Sequence, residues 1–417
     1  MSHGYKPMGG LFPETSIGWY RKHFTVSKKD SGQRFQIQFD GVFRDANFWL
    51  NGFYLGNNKS GYVGCSYDVT DYIYFDKPNV LVVRVDATQY EGWFYEGAGI
   101  YRHVWLNEYN NLHIAENGVF IYSEVKPSAA KMFAEVTVEN QTLFSSNCTV
   151  SCYVTTRDGK VVARSSAQNL SLRENQLKTV KHQLTVLHPK LWSIDDPYLY
   201  RITTIIKQSG KTIDSLTQRF GIRTIEIKPN GVFLNGQHIK IKGTNNHQDH
   251  AGLGSAVPDY LQYYRIRLLK ELGSNAVRTS HNAPAPEWLD ACDSLGMLVL
   301  DEQRLLNSSP EYMNQFERLI KRDRSRPSVF LWSIGNEEGW VHTTGIGKRI
   351  ALSLLAKQKE LDPTRTSTYA ADVGNVFKGI NEVIPVRGFN YREKFVDAYH
   401  ADHPNQPKLL GQRWEVA

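Results

Sequence analysis

The stretch Trp332-Ser-Ile-Gly-Asn-Glu337 decides how this chain is read. It ends an apolar run, Val329-Phe-Leu-Trp332, with small residues that release an Asn-Glu pair. A buried strand that stops by presenting a carboxylate is how a (β/α)8 barrel displays a catalytic group, because the active site lies at the C-terminal ends of its strands. There Asn336 has the chemistry to hydrogen-bond a substrate hydroxyl, and Glu337 that of an acid. A lone Asn-Glu pair would read as the solvated start of a loop. The rest of the chain supplies further strand ends of the same kind.

Around this stretch, from about residue 229, strands alternate with helices. Candidate strands are 238–244, 275–280, 297–302, 328–336, 365–371, 384–391 and 408–414. Between them, Asp259 is placed to cap a helix over Tyr260 to Leu272 that ends at Gly273. Pro284 precedes a helix that stops at Gly296, Ser309-Pro310 opens a third, and Ile346 to Leu361 runs up to Pro363. Such alternation implies a parallel sheet. Side chains of interest at nearly every strand end select the TIM barrel over an open sheet. Residues 229–417 number 189, whereas such barrels usually need about 250, so a barrel incomplete after its seventh strand is expected.

Upstream, the apolar period is two. Over residues 1–112, runs such as Arg34-Phe-Gln-Ile-Gln-Phe39, Ala46-Asn-Phe-Trp-Leu50 and Val80-Leu-Val-Val-Arg-Val85 are separated by Asn51-Gly52, Asn57-Asn58 and Lys77-Pro78. This is strand and turn chemistry, and it predicts an antiparallel jelly-roll sandwich. Residues 113–228 continue with Ala134-Glu-Val-Thr-Val138 and Thr149-Val-Ser-Cys-Tyr-Val154, with hairpin signals at Asp158-Gly159 and Ser209-Gly210. Short strands without helical periodicity predict an immunoglobulin-like sandwich there. The third region, 229–417, is the barrel.

Composition excludes several classes. Of 417 residues, 41% are hydrophobic and 22% charged, as in ordinary globular proteins. No apolar run of about 18 residues offers a membrane span, and Met1 to Gly10 lack the apolar h-region of a signal peptide. The compartment is left open. The net charge of +7 is dispersed, and its densest cluster, Lys321-Arg-Asp-Arg-Ser-Arg326, contains an acid. Nucleic-acid binding would need a coherent basic face. Four cysteines, Cys65, Cys148, Cys152 and Cys292, are too dispersed for a disulfide scaffold. Cys148 and Cys152 share one strand face, which suits packing better than a bridge. Nine Trp and 22 Tyr are compatible with sugar binding and equally with β-sandwich cores.

Following the barrel strands in order, the first ends in Lys242-Gly-Thr-Asn-Asn-His247-Gln-Asp-His250 and the second in Arg278-Thr-Ser-His281-Asn282. The third ends in Asp301-Glu302, the fourth in Asn336-Glu337, the sixth in Phe389-Asn-Tyr391, and the seventh in Gly411-Gln-Arg-Trp-Glu415. The set lacks a nucleophile elbow, a phosphate-cradling loop and a metal triad, since His247 and His250 have no clear third ligand. What remains is carboxylates among neutral donors. Glycosidic bond cleavage asks for this: one acid to protonate the leaving oxygen and one carboxylate to attack or stabilise the anomeric carbon. Strands four and seven place such a pair across the mouth.

The chain resembles glycoside hydrolase family 2, particularly its β-galactosidases. Gly97-Ala-Gly-Ile-Tyr-Arg102, Phe220-Gly-Ile-Arg223 and the barrel series carry the match and span nearly the whole chain. The resemblance implies a retaining enzyme that releases terminal β-galactose, with Glu337 as acid/base and Asn336 on the sugar 2-hydroxyl. It implies His247 and His281 in the sugar subsite, Glu302 in the same substrate-binding group, Tyr391 against the nucleophile, and Asp86 entering the pocket from the jelly roll. The family's nucleophile follows a Gly-Ser-Glu or Gly-Thr-Glu pattern. Here Gln412 and Arg413 follow Gly411, and Glu415 comes two residues late. Glu415 is the candidate, displaced by roughly 7 Å along a strand. The family's magnesium-ligating acid is replaced by Leu305, so no metal or other cofactor is implied. The expected partner is a β-galactoside, with a homo-oligomer as a possible assembly. A β-glucuronidase is the same-class alternative, against which stands the lack of an Asn-x-Lys pair placed to receive a carboxylate. A non-catalytic sugar-binding member without a nucleophile is the other.

Overall fold

The computed structural model describes residues 16–88 and 97–412. In the first sandwich, Arg34–Phe39 lies between Cys65–Asp68 and Val104–Tyr109, antiparallel to both. The facing sheet runs Ile17–Thr25, Pro78–Asp86, Ala46–Leu50, Phe53–Asn58. The period-two pattern drives Phe35, Ile37 and Phe39 against Phe48, Leu50, Val83 and Val85, all buried. The turn Asn51-Gly52 has positive φ at both residues (51° and 90°), as a two-residue hairpin loop twisted like its strands requires.

The second sandwich opposes Leu112–Lys126, Ala129–Asn140 and Gln176–Leu187 to a sheet built on Ser146–Thr155 and Tyr200–Gln208. Its interior is Ala134, Val136 and Val138 against Val150, Cys152 and Val154. Cys148 and Cys152 are both buried and free, so they pack and do not bridge.

The expected first barrel strand over 238–244 is corrected. Gln237–Ile239 is the third strand of a small antiparallel sheet with Ile225–Lys228 and Gly231–Leu234, and the first barrel strand is Gly243–Asn245. The turn at Asn235-Gly236 (φ 52° and 77°) folds Ile239 back against Leu234, Leu298 and Leu300. The apolar run of that region serves this hairpin more than the barrel.

Seven parallel strands follow in chain order: Gly243–Asn245, Ala276–Arg278, Leu298–Glu302, Val329–Asn336, Ser367–Ala370, Val386–Asn390 and Lys408–Gln412. The ring is nearly closed, since the Asn245 Nδ2 donates to the Gly411 carbonyl at 3.0 Å, joining first strand to seventh. Helices Asp259–Glu271, Pro286–Leu295, Pro310–Asp323 and Gly345–Leu361 alternate with the strands. Asp259 does not cap the first of them: its side chain reaches His103 instead, and Pro258 is the N-cap. None of the described helices is long and apolar enough to cross a membrane.

The units are locked together by arginines. Arg102 donates to the Tyr62 carbonyl in its own sandwich (2.7 Å) and to the Ala283 carbonyl in the barrel (2.9 Å). Arg223, leaving the second sandwich, donates to the carbonyls of Pro327 and Val329, both at 2.6 Å. Trp192 is fully buried, and its indole donates to the Asp293 carbonyl at 2.8 Å.

Candidate active site

Four neighbouring strands deliver polar side chains to one end of the barrel, and Arg278 organises them. Its Nε donates to Glu302 Oε2 (2.8 Å), and its Nη2 to Glu302 Oε1 (2.9 Å) and Asn336 Oδ1 (2.6 Å). Its Nη1 reaches Asn245 Oδ1 at 3.1 Å. Glu302 also accepts from His281 Nδ1 and from Ser333 Oγ, each at 2.8 Å. Two bonds per oxygen and an exposure of 0% enclose Glu302, the residue expected among the substrate contacts, within the cluster, where it anchors Arg278. Burial opposes ionisation of Glu302 most strongly, but Arg278, His281 and Ser333 outweigh it and hold the carboxyl below its ordinary value. A fully satisfied pair of this kind tolerates burial that an unpaired charge would not.

This clamp orients what surrounds it. Because Asn336 Oδ1 accepts from Arg278, and from Asn390 Nδ2 at 3.2 Å, the amide nitrogen must point the other way. Asn336 is 1% exposed, and its Nδ2 finds no hydrogen-bond partner among the described residues. A buried donor left unmet costs roughly 1–3 kcal/mol unless a ligand satisfies it. Likewise, donation from His281 Nδ1 makes Nε2 the acceptor of the neutral ring, and burial keeps His281 below its ordinary pKa. His247 meets it edge to face, with ring centroids 5.5 Å apart. Burial, then the charges of His281 and Arg278, press His247 down to about 4.

Glu337 stands just past the fourth strand with left-handed backbone (φ 56°), an uncommon conformation for a non-glycine residue. Asn390 Nδ2 donates to its Oε1 at 2.6 Å. Burial raises the Glu337 carboxyl above its ordinary range; Asp372 adds to the rise and the Asn390 bond opposes it. Desolvation, the principal cause, disfavours the charged form. Tyr391 has the same left-handed backbone (φ 55°), and its phenol is raised by burial and then by Glu337. The structure therefore brings Glu302, His281, His247, Asn336, Glu337 and Tyr391 together.

Asp86, also expected, is not in this group. Asp86 ends the strand Pro78–Asp86, where its carboxylate accepts from Arg84 (3.0 Å) and from the Thr88 hydroxyl (2.6 Å) within its own sandwich. Glu415 lies outside the described residues, as does Arg413. Three residues without an assigned role in the sequence are structurally prominent. Arg278 is the hub, Asn390 holds the acid, and Glu338 accepts from the Tyr369 hydroxyl (2.7 Å) and the Leu306 amide (3.1 Å). An arginine closing an otherwise apolar strand was the available signal for Arg278, and an asparagine at a strand end that for Asn390.

A carboxylic acid shielded from ionisation beside an oriented amide, at the mouth of a parallel barrel, is equipment suited to glycosidic chemistry. Comparisons with known proteins agree. The family model "Glycosyl hydrolases family 2, sugar binding domain" matches residues 11–109, "Glycosyl hydrolases family 2" matches 112–223, and the "TIM barrel domain" of that family matches 225–309 and 306–407. The chain is 36% identical to the β-galactosidase BoGH2A of Bacteroides ovatus, over 96% of this chain and 52% of that protein. It is 34% identical to a putative β-glucuronidase of Formosa agariphila, over 88% of this chain and 35% of that one. A solved glycosyl hydrolase family 2 member from Bacteroides cellulosilyticus superposes with a TM-score of 0.92 at 32% identity, covering 98% of this chain and 57% of its own. The chain belongs to glycoside hydrolase family 2. It spans about half the length of the Bacteroides ovatus relative.

Proposed function

We propose that the polypeptide containing this chain is a retaining exo-glycosidase that releases terminal β-linked galactose. The carrying observation is the pairing of Glu337, whose burial favours the protonated form, with the unmet amide of Asn336 beside it. In this reading Glu337 gives its proton to the glycosidic oxygen as that bond to the anomeric carbon breaks. A second carboxylate, for which Glu415 is the candidate, forms the ester bond to that carbon. Glu337 then takes a proton from water, whose oxygen displaces the ester. Asn336 Nδ2 and His281 Nε2 bind sugar hydroxyls, His247 lines the same subsite, and Asp86 belongs to the approach from the jelly roll. Regions 1–112, 113–228 and 229–417 are the corresponding sugar-binding, spacer and catalytic units.

Relatives named as β-glucuronidases supply the second reading, a uronic acid in place of galactose. Chromogenic β-galactoside and β-glucuronide given to the full-length polypeptide separate the two. Faster turnover of the galactoside is expected; preference for the glucuronide rejects galactose, and no turnover of either favours a binding protein. Labelling with a fluorinated galactoside should leave an adduct on Glu415, and an adduct elsewhere reassigns the nucleophile.

A further inference from the structure

Where the first sandwich meets the barrel, one imidazole and two carboxylates converge. His103 directly follows Arg102 ahead of the strand Val104–Tyr109, Asp259 opens one barrel helix, and Glu287 lies in the first turn of the next. His103 Nε2 is 2.8 Å from Asp259 Oδ1 and 3.8 Å from Glu287 Oε1. The three donor atoms lie within 4.8 Å of one another. They border a cavity of about 270 Å³ also lined by Ser255. Ser255 is 9% exposed, and its buried hydroxyl has no hydrogen-bond partner among the described residues. The neighbouring cation, Arg102, is committed to the carbonyls of Asp40, Tyr62 and Ala283 and to Gln248.

We propose that His103, Asp259 and Glu287 form a divalent-metal site that staples the first sandwich to the barrel, with zinc or a similar borderline ion as its ligand. One imidazole nitrogen and two carboxylate oxygens are a donor set such ions accept at bonds of about 2.0–2.2 Å. Donors at that radius stand roughly 2.8–3.6 Å apart in octahedral or tetrahedral geometry; the His103–Asp259 separation of 2.8 Å lies at the lower edge of that range and the His103–Glu287 separation of 3.8 Å just beyond its upper edge. Three protein ligands leave room for water in the cavity that Ser255 also lines. A plain His103–Asp259 ion pair accounts for two of these groups but not for Glu287, whose Oε1 lies 3.8 Å from the same nitrogen. A bound ion accounts for all three donors, and because its ligands come from both units it would resist their separation.

The test uses full-length protein stripped with EDTA, titrated with zinc chloride by calorimetry and melted with and without zinc. Wild type should bind zinc saturably and melt at a higher temperature with it, because an ion that binds only the folded state stabilises that state. His103→Gln and Glu287→Gln should each weaken that binding by about tenfold or more and abolish the zinc-dependent rise. Circular dichroism of the metal-free proteins establishes that each variant is folded, and Asp259→Asn supplies the comparison should His103→Gln not be. Unsaturable binding in wild type, or wild-type affinity retained in the folded variants, overturns the proposal. Neither readout depends on glycosidase activity, so this test and that of the proposed function fail separately.

Discussion

Between the sheets of the second sandwich, Val136, Val138, Val150, Val154 and Leu172 are fully buried, and all are apolar. At the barrel mouth Arg278, Glu302, Ser333 and Asn336 are almost equally buried, and all are polar. The first interior is held by removing hydrocarbon from water, worth about 1.5–3 kcal/mol per large side chain. It asks only for volume and pattern. The second must repay the desolvation of an ion pair with directed bonds, and nearly every oxygen in it is accounted for. In that interior the Asn336 amide nitrogen, unmet among the described residues, marks where a ligand is expected.

The comparison breaks most visibly at Glu337. Glu337→Gln should cut turnover of substrates with poor leaving groups by about 10³-fold, within the range of general acid catalysis, and spare activated aryl glycosides. Equal loss on both, in steady-state assays of the full-length protein, would show that Glu337 is not the acid. Next comes Arg278→Met, which strands the Glu302 carboxylate. It should lower stability by about 3–5 kcal/mol, and adding Glu302→Leu should restore part of that. Urea midpoints of the single and double variants decide this, and no recovery would mean that the pair is not the unit.

In the sandwich, Leu172→Ala should cost about 2–3 kcal/mol by leaving a cavity while kcat is unchanged. A fall in kcat would contradict the view of that interior as passive. Acid sharpens the contrast in another way. His247 has a folded-state pKa of about 4, below its unfolded value of about 6.5, so the unfolded chain takes up its proton first. Stability is therefore unaffected above that unfolded pKa and falls as pH drops toward 4, by about 1 kcal/mol at pH 5.5. His247→Asn should flatten that part of the urea-midpoint profile. The smallest effect is expected at Arg267, paired with Glu271 on an exposed helix face. Arg267→Ala should shift stability by less than about 0.5 kcal/mol.

Much of the fold could be read because pattern dictates it. Alternation in Arg34–Phe39 and Ala129–Asn140 fixes which faces are inward, and the all-apolar Val329–Trp332 requires a strand covered on both sides. The clustering of His281, Asn336 and Glu337 followed from their common place at strand ends. Local pattern does not show how a run divides between two sheets, and so 238–244 reads as one barrel strand although its first residues belong to a hairpin. Nor does it show which polar residues satisfy others. Glu302 and Glu337 look alike in sequence, yet one is saturated by Arg278, His281 and Ser333 and the other is shielded and held by Asn390. That distinction depends on bonds across several strands, which no single segment contains.

Arg223 has a mechanical consequence. Its guanidinium grips the chain at Pro327 and Val329, at the root of the strand whose tip carries Glu337. Eight residues of strand, roughly 26 Å at the usual rise, separate grip from tip, so the second sandwich acts as a splint that sets where the rod begins. A barrel expressed without that sandwich would lose the grip and empty the socket filled by Trp192. Glu337 would stand on an unsupported rod, displaced before any residue at the mouth had been changed.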